Sequence, residues 1–401
     1  MLSATAKPLP LAAPLAVFFA ALAPACDSDP AAGSAWDDAE LRARAAAVHE
    51  QYIHVVGASY TDTRLAAEDL QAEVEAFLAA PSADGLEAAK QAWLAARELY
   101  GQTEVYRFYG GPIDAEPDNI EGRLNSWPMD EVYVDYVEGD PDGGIINDVA
   151  RYPALDRDLL VDLNGAGGED DIATGWHAIE FLLWGQDLSA DGPGARPFTD
   201  YVVDGTGSAS NQERRGEYLR IVTELVVADM TRLAGDWADG AKFHEEFAAL
   251  DPRDALTKML LGMGSLSGAE LAGERMAVAY ETREQEDEHS CFSDNTHRDL
   301  YTNALGIENV YLGRYGALTG ASLADLVAAR DPELDAKLRT QLRASVEAMA
   351  KIPPPFDRAI QAPDGDPARV AVADAIAALK AQTASIAEVA ALLDITLNLE
   401  Q

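Results

Sequence analysis

Basic residues are scarce in this chain. It carries 30 Lys+Arg against 69 Asp+Glu in 401 residues, a formal net charge of −39. A surface that acidic repels phosphate backbones and anionic lipid headgroups, which disfavours nucleic-acid binding and membrane docking through a basic patch. Cysteine is scarcer still. Two cysteines cannot build a disulfide framework or a Cys-rich zinc site. Also missing are a P-loop, a Gly-x-Gly-x-x-Gly turn, a Gly-x-Ser-x-Gly elbow, a Cys-x-x-Cys pair and an Asp-x-Asp-x-Asp-Gly calcium loop. Ser/His/Asp catalysis has no support in the sequence. Apolar material, by contrast, is ample: 48% of residues are hydrophobic, so the chain is not a disordered acidic tail. Its length suits two domains or one large one. The excess charge reads as salt adaptation, as solubility, or as an interior lined with carboxylates for cations.

The N-terminus reads as an export signal. Lys7 precedes an apolar run from Leu9 to Ala23, too short for a comfortable membrane span. Small residues then lead into Cys26 in Leu22-Ala23-Pro24-Ala25-Cys26. Residues 1–25 are accordingly expected to be a signal peptide, and Cys26 a lipidated first residue of the mature protein. Plain secretion, with cleavage near Ala25, is the other reading. Residues 26–36 would be a lipid-anchored tether, and the lipid the only membrane contact. With Cys26 acylated, Cys291 is left single and is expected to be buried and inert.

Beyond the tether, helical periodicity dominates. Helices are expected over 37–58, 62–80, 83–108, 172–185, 211–237, 253–285, 297–316, 321–329, 332–349 and 366–398, the last broken near Gln382–Ser385. Ser82 and Asp251-Pro252 mark helix starts. Gly, Pro, Asp and Asn cluster in 109–171, an unusually long irregular insert, and 286–296 is a second polar stretch. The expected fold is all-α: a first helical bundle over 37–204 containing that insert, a Gly/Ser hinge at 205–211, and a second bundle over 212–401 packed against the first.

The segment Gly175-Trp176-His177-Ala178-Ile179-Glu180-Phe181-Leu182-Leu183-Trp184-Gly185-Gln186-Asp187 is the most informative. His177 and Glu180 share one helical face on a helix apolar on nearly every side. A buried carboxylate and imidazole need compensation, by a metal ion, by an arginine or by each other, and spacing leaves these readings open. Zinc-peptidase spacing is absent, because no second histidine lies within a turn. Trp93, Arg97, Tyr100, Glu104 and Arg107 form one mixed stripe on the helix 83–108. Glu270, Glu274 and Glu281 form another on 253–285, beside Arg275. Two of the six histidines, His289 and His297, bracket the polar stretch 286–296. A mixed His/Asp/Glu site there suits iron, zinc or copper.

These segments together resemble the imelysin family, which includes insulin-cleaving membrane protease and the iron-regulated protein A group. The likeness rests on Gly-x-His-x-x-Glu at 175–180 and on Trp93-Leu94-Ala95-Ala96-Arg97 through Glu104-Val105-Tyr106-Arg107-Phe108. It rests further on Gly111-Pro112-Ile113-Asp114, Glu121-Gly122-Arg123-Leu124-Asn125-Ser126-Trp127-Pro128-Met129-Asp130-Glu131 and Glu288-His289-Ser290-Cys291-Phe292-Ser293-Asp294-Asn295-Thr296-His297. The resemblance implies a bacterial envelope protein, periplasm-facing or secreted, associated with iron acquisition. On this reading His177, Glu180 and Glu104 are metal ligands; beyond the resemblance, Glu274, Glu288 and His289 are expected to join them from the second half. Arg97, Arg107, Asp130, Trp176, Asp187 and Asp294 support them. The expected cargo is a metal ion or metal complex, iron before zinc or copper, handed to envelope iron-transport components. The alternatives are a metal-dependent peptidase and a binding module for haem, a siderophore or an envelope protein partner.

Overall fold

In the computed structural model, residues 34–117, 119–189 and 192–399 are described. The signal peptide, Cys26 and most of the tether lie outside them. The expected tether nevertheless ends two residues early: Trp36 is buried and its indole N–H donates to Leu393 O at 2.6 Å, while Ala35 N donates to Asp394 Oδ2 at 2.7 Å.

The described chain is helical, with a single two-stranded hairpin, β1 (Arg314–Tyr315) and β2 (Leu318–Thr319). The first helix, α1 (Ala39–Ala79), is capped by Asp38 and runs unbroken through the break expected at 59–61. The hydroxyls there all find partners: the exposed Thr61 and the buried Thr63 bond the carbonyls four residues back, and Ser59 donates to Tyr106 Oη, so none competes with the helix. Helix α2 (Ala83–Tyr100) ends sooner than periodicity suggested and tightens into a 3₁₀ turn over Gly101–Tyr106.

The irregular insert contains three short helices, α3 (Ile120–Leu124), α4 (Glu131–Val134) and α5 (Arg157–Leu163). It is fastened to the core by Ile120, Leu124, Val134, Ile146 and Leu160, all fully buried. Helix α6 (Gly175–Trp184) follows, then α7 (Gln212–Asp236), α8 (Lys242–Ala248) and α9 (Pro252–Ser265). The expected hinge is an exposed turn tied down by Ser208, which donates from its amide to Thr199 O and from its hydroxyl to Asp200 Oδ1.

The long helix expected over 253–285 is interrupted. After α9 the chain is a π-helix over Leu266–Ala277, then α10 (Val278–Thr282). In a π-helix residues five apart stack, so Glu270 meets Arg275 at 2.9 Å. The expected acidic stripe is broken in consequence: Glu274 and Glu281 are exposed and Glu270 is half-buried. The remaining helices are α11 (Thr296–Leu312), α12 (Leu323–Ala328), α13 (Pro332–Met349), α14 (Phe356–Gln361) and α15 (Pro367–Leu392). The break expected in α15 does not occur, because Gln382 and Thr383 both donate to Ser267 Oγ in the π segment. Long and apolar enough to cross a membrane, α15 buries Val372, Leu379, Ile386 and Val389 instead.

Among the described residues the interior has two apolar centres. The larger draws on α1, α2, α6, α7 and α9, and also on α12 and parts of α11 and α13. The smaller is built around Leu271, Met276, Leu300, Phe356, Val372 and Leu379. Residues 35–401 together form one compact unit. Helix α11 contributes to both centres and crosses the 3₁₀ turn closely: a Cβ at Gly306 would stand 2.6 Å from Gln102 O.

Candidate metal centre

All ten residues of α6 are buried. Its first residue shows why the motif opens on glycine. Gly175 has φ +90°, and a Cβ there would lie 2.5 Å from the carbonyl oxygens of both Arg123 and Leu124. One turn on, His177 Nδ1 and Glu180 Oε2 are 2.9 Å apart. The other carboxylate oxygen of Glu180 accepts from the amide (2.9 Å) and the hydroxyl (2.6 Å) of Ser293. Burial pushes Glu180 up to about 8 in spite of Ser293. Both of its oxygens are engaged, so the carboxylate orients His177 and has no free oxygen directed into a cavity.

His177 Nε2 is buried and has no hydrogen-bond partner. The ring packs edge-to-face on His289 with centroids 4.8 Å apart, and Trp127 covers it at 4.9 Å. Burial holds both imidazoles well below their ordinary pKa, and the guanidiniums of Arg97 and Arg275 lower them further. Both are therefore neutral at pH 7. Asn125 sets the second tautomer: its Oδ1 accepts from Arg97 at 2.6 Å, so its amide donates to His289 Nε2 at 3.3 Å. That leaves the His289 proton on Nδ1.

Arg97 is the anchor of the arrangement. Buried between Trp93 and Tyr100, it grips Asp299 of α11 through two contacts at 2.8 and 3.2 Å. Asp299 also accepts from Ser290 Oγ (2.5 Å) and Asn295 Nδ2 (3.2 Å), which fixes the loop carrying His289. Trp176 contributes its carbonyl, which accepts from the Trp93 indole at 3.0 Å.

Glu104 has a different set of partners from the one proposed for it. Its Oε2 accepts from Arg275 Nη2 at 2.6 Å and Arg107 Nη1 at 2.9 Å. Those two guanidiniums overcome burial and hold the carboxylate down to about 2. Arg275 is further bound to Glu270 and to Asn303 Oδ1, and Arg107 to Glu121 at 3.2 Å. Between this network and His289 lies a cavity of about 260 Å³, whose lining includes Glu121, Trp127, Glu270, Arg275 and Glu274.

The structure thus brings His177, Glu180 and His289 together, with Glu104, Arg97 and Arg107 nearby and the exposed Glu274 on the cavity wall. The other nominated residues are elsewhere. Asp130 is exposed and caps α4, accepting from Val132 N at 3.1 Å. Asp187 is half-buried and accepts from Ser189 N and Gln285 Nε2. Glu288 and Asp294 join Asp357, which no pattern in the sequence singled out. Among the described residues that is the one trio of His, Cys, Asp or Glu whose ligand atoms lie within 4.8 Å of one another. Ser293 and Asp299 were also missed as partners, since each lies more than a hundred residues from the side chain it holds. Cys291 is buried, as expected.

Residues 56–386 match the family model for imelysin, a peptidase M75 family. Iron-regulated protein A of Synechococcus elongatus is 28% identical over 330 residues, covering 81% of this chain and 80% of that protein. Among solved structures, a Parabacteroides distasonis protein named as an iron-regulated protein A precursor superposes with a TM-score of 0.67 at 20% identity, over 88% of this chain and 95% of its own. An imelysin-like protein from Psychrobacter arcticus gives 0.60 at 13% identity, over 89% and 98%. Both have the same fold. With a family model matched across most of its length, including the Gly-x-His-x-x-Glu helix, this chain belongs to the imelysin family.

Proposed function

We propose that this protein is exported to the bacterial envelope, anchored through Cys26, and binds iron for uptake at the His177–His289 pair, of which His289 lines the cavity. One observation carries the reading: the buried, unpartnered Nε2 of His177 on a ring whose Nδ1 is held by Glu180. Burial keeps Glu180 protonated in the metal-free protein at pH 7, and a cation on Nε2 would draw that proton off, leaving the carboxylate that usually backs a metal-ligating histidine and fixes its tautomer. His289 supplies a second neutral imidazole. Its Nε2 is engaged only by the long bond from Asn125, which a metal ion would displace. Neither ring carries a positive charge that would oppose a cation, and binding at His177 releases one proton, that of Glu180. The cavity beyond carries four carboxylates, Glu121, Glu270, Glu274 and Asp287, against two guanidiniums, a balance that favours a cation. Mixed nitrogen and oxygen donors suit iron, zinc or copper. The name of the Synechococcus relative supports iron among the three. Envelope iron-transport components would take the metal onward.

The test is calorimetric titration of chelator-stripped protein with ferric citrate. Wild type should bind iron, and His177→Ala and His289→Ala should each weaken it at least about tenfold. Equal affinity in all three proteins would remove the site.

A further inference from the structure

Glu288 and His289 are neighbours in sequence, yet they serve different places. The backbone at Glu288 is extended (φ −89°, ψ 146°), so the two side chains leave the chain on opposite sides. His289 turns to His177. Glu288 turns to Asp294, in the same loop, and to Asp357, in the first turn of α14. One ligand oxygen from each of the three lies within 4.8 Å of the others.

We propose that Glu288, Asp294 and Asp357 hold a hard divalent cation of calcium's size, at a site separate from the imidazole pair. The evidence is in the oxygens. Glu288 is fully buried and neither of its carboxylate oxygens has a hydrogen-bond partner; Oδ1 of Asp294 and Oδ1 of Asp357 are likewise buried and unpartnered. Four buried carboxylate oxygens without partners in one cluster are far outside what a protein interior tolerates without compensation. The surrounding charges give none. Glu288 is acted on by Asp357, Asp294 and Glu180, and Asp294 by Asp187 and Asp357, carboxylates in every case. The Thr296 hydroxyl near Glu288 and the guanidinium of Arg358 near Asp357 offset a part. A bound cation supplies the rest.

Chemistry selects the ion. The donors are all oxygen, the preference of hard cations. Calcium collects several carboxylates, whereas magnesium keeps most of its waters and takes only one or two, so three carboxylates with ligand oxygens within 4.8 Å of one another suit calcium. The site also has a structural consequence. It ties α14 to the 288–296 loop, which carries both His289 and Ser293, so the ion would brace the two groups that meet the His-x-x-Glu helix.

The experiment is calorimetric titration of the chelator-stripped full chain with calcium chloride, on wild type, Asp294→Asn, Asp357→Asn and His177→Ala. Wild type and His177→Ala should bind one calcium ion per chain, and each Asn variant should bind at least about tenfold more weakly. Calcium should raise the melting temperature of wild type but not of the Asn variants. Each Asn variant loses like-charge repulsion in the metal-free state, so its melt without calcium should be at least as high as wild type's. A wild type that takes up no calcium, or Asn variants that bind it as wild type does, would overturn the proposal. Calcium binding that survives His177→Ala separates this site from the iron reading, which stands or falls on that variant.

Discussion

Glu180→Gln isolates the electrostatics of the His-x-x-Glu helix. Glu180 is fully buried and holds its proton up to about pH 8, against 4.5 in an unfolded chain. A proton bound more tightly by the folded state stabilises it in full below about pH 4.5, and that contribution is lost as the pH rises through 8. Linkage over that shift gives a loss of about 2.5 kcal/mol between pH 5 and pH 7. Glutamine has no such dependence. Its carbonyl still accepts from Ser293, and its amide donates to His177 Nδ1. Other groups titrating in the same window, such as Glu131 and Asp294 at about 7, are present in both proteins and cancel in the difference. Urea unfolding at pH 5, 6 and 7 with chelator present should therefore show the variant gaining on wild type by about 2.5 kcal/mol across the series. Stability curves that run parallel would refute the assignment of a buried, protonated Glu180.

Glu104→Gln should act with the opposite sign. Glu104 is held down to about 2 by Arg107 and Arg275, so its stabilisation is complete above about pH 4.5 and disappears as the pH falls towards 2. Removing its charge leaves two buried guanidiniums short of a partner, at a cost of about 3 kcal/mol in chemical unfolding at pH 7; a wild-type midpoint at pH 7 would contradict the network. Gly175→Ala should cost about 1–3 kcal/mol, because the added methyl meets two backbone carbonyls that cannot rotate away. The same variant should weaken iron binding with His177 left in place, and unchanged stability would show the turn to be slack.

Much of the fold was legible in the chain. The boundaries of α7 and α13 fell within a residue of those expected, since each has an uninterrupted apolar stripe and α13 a clear Asp-Pro start. Burial of Trp93, Arg97, Tyr100 and Glu104 was readable too, because aromatics at helical spacing mark an inward face. The misjudged places share one cause. Ser59, Thr61, Gln382 and Thr383 resemble helix breakers locally, and only their inter-helix or backward hydrogen bonds keep them helical. The π-helix gave no sequence signal, and it alone pairs Glu270 with Arg275.

The net charge of −39 is a property of composition, and few of its carboxylates bear on the site. An all-α chain, a buried helix with His177 and Glu180 one turn apart, and a need for something to compensate them all follow from residue order alone. Tertiary structure decided what that something is: Ser293 on Glu180, His289 against His177, Asp299 on Arg97, and two arginines on Glu104. It also turned Glu288 away from His289 and towards Asp357. Periodicity along a chain records which face of each element is apolar. Which faces then meet depends on how all the helices pack at once, and side chains separated by more than a hundred residues meet only through that packing.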